Sequence, residues 1–136
     1  MKRSDHRAFG RFVAEIECKN ELNRIGKPWN PVYIVVVNWV GGHVAALPDD
    51  LEPGIDANHR KIFHSRDAYM KIEDWKKSIR EKNSASNPNW WVNVFLLMCL
   101  SAYQSHIYLD STTTMGVPDY QWVIALFRTF FGREPT

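Results

Sequence analysis

The stretch that decides the fold is Val32-Tyr33-Ile34-Val35-Val36-Val37-Asn38-Trp39-Val40-Gly41-Gly42-His43-Val44-Ala45-Ala46-Leu47. Its first nine residues are β-branched or aromatic almost throughout and do not alternate between apolar and polar. That pattern reads as a strand covered on both faces. Gly41-Gly42 lies between two apolar runs, where both residues can adopt positive φ, so the pair reads as a two-residue hairpin turn. The predicted strands are residues 32–40 and 43–47. In that register Val40 faces His43, Asn38 faces Ala45 and Val36 faces Leu47.

Four helices are predicted around this hairpin. Residues 5–24 carry Phe9, Phe12, Val13 and Ile16 on one stripe, with Leu22 and Ile25 continuing it, and end at Gly26 and Pro28. Residues 66–82 follow Ser65 as cap, with Tyr69, Ile72, Trp75 and Ile79 inward and Lys71, Glu73, Lys76, Lys77 and Arg80 in solvent. Asn87 caps, and Pro88 opens, an apolar helix running to about Ser105. Residues 107–109 extend that helix or form an edge strand, and Ser111–Thr114 reads as a loop. Pro118 begins a last helix through Trp122, Leu126, Phe127 and Phe131. Arg60–His64 reads as a short additional strand. The expected fold class is therefore α+β: a small antiparallel sheet on a central hairpin, packed by one N-terminal and three C-terminal helices, in a single domain of residues 1–136.

Charge is distributed unevenly. Beyond residue 82 only Asp110, Asp119, Arg128, Arg133 and Glu134 are charged, and Asn83–Leu109 has none. Trp90–Leu109 matches the length of a membrane span, but Asn93, Ser101, Gln104, Ser105 and His106 interrupt it, so it reads as a helix enclosed in a water-soluble body. The N-terminus has no apolar run behind its basic residues, which argues against a secretory signal. Cys18 and Cys99 are the only cysteines and read as thiols of a cytoplasmic protein, with a single disulfide left open.

The chain has 136 residues, 45% hydrophobic and 24% charged, at a net charge of +2. These values fit a folded globular domain and give no basic face for nucleic acid. The basic residues of 66–82 are interleaved with Asp67, Glu73, Asp74 and Glu81, which cancels most of their field.

Chemistry is sparse. Asp56, His59 and His64 are the nearest thing to a metal set, at spacings that match no standard zinc pattern. Asn38 and His43 become diagonal neighbours in the hairpin register, with Tyr33 on the same strand, and so form the candidate ligand site. No nucleophile, phosphate loop or dinucleotide fingerprint accompanies them. No cofactor is implied. Six tryptophans give a surplus of the residues that anchor interfaces. The leading expectation is a non-catalytic protein-binding module of inhibitor, immunity or adaptor type. It would contact another protein, or a second copy of itself, through Trp29, Trp39, Lys76, Lys77 and Arg80. The alternatives are a small enzyme or ligand-binding domain at His43 and Asn38, and a nucleic-acid binder using the 66–82 helix.

Overall fold

The structure, a computed structural model, describes residues 3–47 and 66–114, and these contain four helices and no strand. They are α1 (Arg3–Ile25), α2 (Tyr33–His43), α3 (Arg66–Lys82) and α4 (Trp90–Thr114). The expected α+β fold and its sheet are thus overturned. Residues 33–43, read as a strand and a turn, form one continuous helix.

Packing and local capping explain the difference. Asn30 Oδ1 accepts a hydrogen bond from Val32 N at 3.0 Å, and Asn30 O accepts from Tyr33 N at 2.9 Å. Pro31 occupies the first turn, where its missing N–H costs nothing. Gly41 is not a turn residue. A Cβ built there would meet Arg11 Cγ and lie 2.6 Å from both Cα and N of Arg11. Gly10 faces the same crossing, where a Cβ would run into Ala45 and sit 3.4 Å from Gly41 O. The two glycines let the α1 and α2 backbones approach closely, and burial of Val37 and Val40 outweighs the modest helix penalty of a β-branched run.

The helices alternate in direction. His6 of α1 stacks on His106 of α4 at 3.7 Å, while Lys27, just past the other end of α1, lies over Trp90 at 4.9 Å, so α1 and α4 are antiparallel. Tyr33–Trp91 and Trp39–Phe95 contacts make α2 parallel to α4. On the opposite flank, Gln104 meets Tyr69 and Asn93 meets Asn83, so α3 is antiparallel to α4. One cluster at the centre joins Ala14, Cys18, Leu22, Val37, Val40, Val94, Met98 and Ala102. Gly26, at φ 78°, ends α1, with Lys27 N donating to Leu22 O at 2.8 Å in a Schellman-type closure.

α4 also runs further than expected. Residues 107–109 extend the helix, the first of the two alternatives, and residues 111–114, expected as a loop, are helical as well. The candidate strand at 60–64 and the helix expected from Pro118 lie outside the described residues.

Candidate functional site: an apolar strip on α2 and α4

Two features stand out once the helices are in place. One is a polar network inside the bundle and the other is an apolar strip on its surface.

The network joins α1, α3 and α4. Lys76 is fully buried, and its Nζ donates to Gln104 Oε1 at 3.0 Å, with Glu73 Oε2 at 3.9 Å and Glu17 Oε1 at 4.0 Å. Gln104 Nε2 in turn donates to Glu73 Oε2 at 2.9 Å and to the Tyr69 carbonyl at 3.1 Å. Arg80 donates to Glu17 at 2.6 Å. Arg24 grips Glu21 through two nitrogens at 2.6 and 2.7 Å, and Asn83 Nδ2 donates to the same carboxylate at 2.9 Å. Three carboxylates thus face three cations, and a buried charge stays tolerable only when it is paired in this way. Burial pulls the Lys76 pKa down, and the neighbouring Glu17 and Glu73 oppose that shift. The network fixes how α3 sits on the bundle. Its charged groups are engaged with one another.

The strip is built differently. On α2, Val37, Val40 and Gly41 face the core, which leaves Val32, just ahead of the helix, with Val35 and Trp39 facing out; these three are 69, 67 and 52% exposed. Their spacing of three and four residues aligns them along one side of the helix. Trp39 stacks obliquely on His43 at 5.3 Å and meets Phe95 of α4 at 6.2 Å. Phe95 carries the apolar surface across to Val92 and Leu96, which are also exposed. A surface helix usually turns charge outward. α2 has no Asp, Glu, Lys or Arg at all, and neither has α4 between Trp90 and Leu109.

At the foot of the strip, aromatic rings close the bundle. Tyr33 lies 4.4 Å from Trp91 and 5.8 Å from Trp29, and Trp90 meets Trp91 edge-on at 5.9 Å. Lys19 and Lys27 cover Trp29 and Trp90, each at 4.9 Å. Such cation–π contacts engage those two lysines within the fold.

The residues singled out in the sequence are distributed as follows. Asn38 and His43 are both exposed, but the hairpin that would have joined them is absent. Five residues along a helix place them about 140° apart around the axis. Tyr33 is half-buried in the aromatic closure, not beside either of them. Trp39 sits at the middle of the strip, whereas Trp29 is half-buried under Lys19. Lys77 is exposed as expected; Lys76 is buried and Arg80 is bound to Glu17, so neither is a free surface cation. Asp56, His59 and His64 lie outside the described residues. Among the described residues no group of three or more His, Cys, Asp or Glu is placed to hold a metal ion.

Sequence reasoning missed Val35, Val92 and Leu96 as surface residues. Both thiols are reduced: burial pushes Cys18 up to about 12, with Glu17 and Glu15 adding to the rise, and Cys99 up to about 11. Neither is activated as a nucleophile, since the thiolate is the reactive form.

Comparison with known proteins gives no match to a family model, to a curated protein or to a solved structure.

Proposed function

We propose that this protein is a non-catalytic protein-binding module and that its working face is the strip centred on Trp39. The observation that carries the reading is the exposure of Val32, Val35 and Trp39 on a helix with no charged residue, continued through Phe95 onto Val92 and Leu96. Their exposed surface amounts to roughly 500 Å², the size at which an apolar patch on a soluble protein marks an interaction site. At about 25 cal/mol per Å², covering it would be favourable by roughly 12 kcal/mol before the costs of association. Tryptophan at the centre of such a patch is the typical anchor of a protein interface.

A water-borne body, in the cytoplasm where Cys18 and Cys99 stay reduced, fits this reading. α4 is long and apolar enough to cross a bilayer, but half of the stretch Trp90–Leu109 is buried. Its partners in that burial include α3 and α1, and a spanning arrangement would draw Lys76, Glu73 and Glu17 into hydrocarbon at high cost. The nucleic-acid alternative loses support, because two of the basic residues on α3 are committed to internal carboxylates. The enzyme alternative loses it as well, because Asn38 and His43 are on different sides of a helix.

Recovery of bound proteins from native lysate tests the proposal. Tagged full-length chain should retain a stoichiometric protein, which includes a differently tagged copy of itself, and Trp39→Lys should lose it. Identical recovery by both forms would refute the assignment of the strip.

A further inference from the structure

We infer that the occupant of the strip is a second copy of this chain, packed strip to strip about a two-fold axis. This inference rests on the reading of the strip as the binding face and names its partner.

Charge is the first argument. The sequence from Pro28 to Pro48 and from Asn83 to Leu109 holds no Asp, Glu, Lys or Arg. A face that meets its own copy juxtaposes each group with groups of the same kind, so a charged face repels itself. This one carries no charge to repel, and apolar surface is complementary to itself. A partner selected by salt bridges would find nothing to pair with at the centre of the strip.

Size is the second. Two copies would remove roughly 1,000 Å² of apolar surface at this face, which reaches the lower bound for a specific interface. Asn38 beside Val35 and His43 beside Trp39, at opposite margins of the strip, offer hydrogen-bonding groups of the kind found at an interface rim. An interface at that lower bound gives a reversible dimer rather than a permanent one.

Shape is the third. α2 and α4 run parallel, joined by the Trp39–Phe95 contact, and present Val32, Val35 and Trp39 as a ridge beside Val92 and Leu96. Rows of side chains three and four residues apart on two parallel helices can interdigitate with the same rows inverted by a two-fold axis.

Light scattering on full-length chain, across a wide range of concentrations, decides the matter. The wild type should pass from monomer to dimer as concentration rises. Trp39→Lys and Val35→Lys, each checked for an unchanged helical circular dichroism spectrum, should raise the dimer dissociation constant at least about tenfold, as loss of an anchor side chain does. A wild type that stays monomeric throughout, or a dimer indifferent to both substitutions, overturns the inference. A monomer that still captures a different protein in a Trp39-dependent way overturns the dimer and leaves the strip as a binding face. A monomer whose lysate recovery is also indifferent to Trp39 overturns both.

Discussion

The Lys76 ammonium donates to Gln104 Oε1 at 3.0 Å across the α3–α4 interface, and neither side chain reaches water. This bond shows how α3 is held. The helix turns not its tryptophan but its lysine toward the bundle, because Gln104, Glu73 and Glu17 are arranged to receive it. Trp75, one position earlier, is left half exposed with Lys71 over its ring at 5.6 Å.

Removing the lysine therefore leaves buried acceptors without their donor. Lys76→Ala should cost about 3–5 kcal/mol in denaturant unfolding, the scale for breaking a buried ion pair from one side. Lys76→Met should cost clearly less, since its length fills the space without a charge to desolvate. Equal losses for the two variants would mean that the lost charge and hydrogen bond set the cost and that packing at the site contributes nothing.

The same residue sets a pH dependence. Burial, opposed by Glu17 and Glu73, holds the Lys76 pKa below its ordinary 10.5. The folded chain thus binds that proton less tightly than the unfolded chain. The cost of burying the charge is fully present below the lowered pKa and is relieved as pH rises through it toward 10.5. Cys18 and Cys99, raised from 9.0 to about 12 and about 11, act in the opposite sense: the fold loses stability above pH 9 as unfolded thiols ionise. Those thiols are common to wild type and Lys76→Met. The stability difference, wild type minus Lys76→Met, should accordingly rise between neutral pH and pH 10.5. A difference that is flat or falls over that window would remove burial as the cause.

Two helices begin with one device. Asn30 Oδ1 accepts from Val32 N at 3.0 Å and Asn30 O from Tyr33 N at 2.9 Å; Asn87 Oδ1 accepts from Asn89 N at 2.8 Å and Asn87 O from Trp90 N at 3.1 Å. Each asparagine is followed by proline. Asn30→Ala and Asn87→Ala should each cost about 1 kcal/mol, the usual value of a cap. Urea midpoints measure both, and an unaffected Asn30→Ala would speak against a helix starting there.

This pairing also shows where the sequence was legible. α1 and α3 separate charged from apolar residues with a helical period, and their predicted ranges, 5–24 and 66–82, lie close to or on the observed ones. α2 offers no such separation, because it is apolar on all sides and β-branched, and that composition suits a buried strand equally well. Asn87-Pro88 reads as a helix start. The same Asn-Pro pair at 30–31 stands before a valine run and Gly41-Gly42, which read as strand and turn, and its capping role is seen only in the structure. What the composition could not show is that Gly41 receives the Arg11 backbone, a contact made by a residue thirty positions away.

The candidate site was legible only in part. Trp39 stood out as an aromatic at risk of exposure, and it is the centre of the strip. Asn38 and His43 were paired through a strand register, and that pairing dissolved with the strand. Lys76 and Arg80 were placed in solvent because an isolated helix puts its charges there; their partners lie on other helices.

Outward and inward positions on α2 should respond differently. Val35→Lys, at a position 67% exposed, should change the stability of the dilute, monomeric chain by no more than about 0.5 kcal/mol, while Val40→Ala, at a wholly buried one, should cost about 2 kcal/mol. Chemical denaturation of the two variants reads this directly, and a large loss for Val35→Lys would place that side chain in the core.

Fold and function both rest on residues 33–43 being a helix that turns Trp39 outward. The adjacent glycines test this most directly by unfolding. A Cβ at Gly42 meets nothing within 4 Å, so Gly42→Ala should stabilise the protein by about 0.5–1 kcal/mol through helix propensity. A Cβ at Gly41 collides with Arg11, so Gly41→Ala should destabilise it by about 1–3 kcal/mol. Opposite signs are the outcome expected of the helix. Destabilisation by both, as two left-handed turn residues would give, would contradict the helix and the binding face built on it.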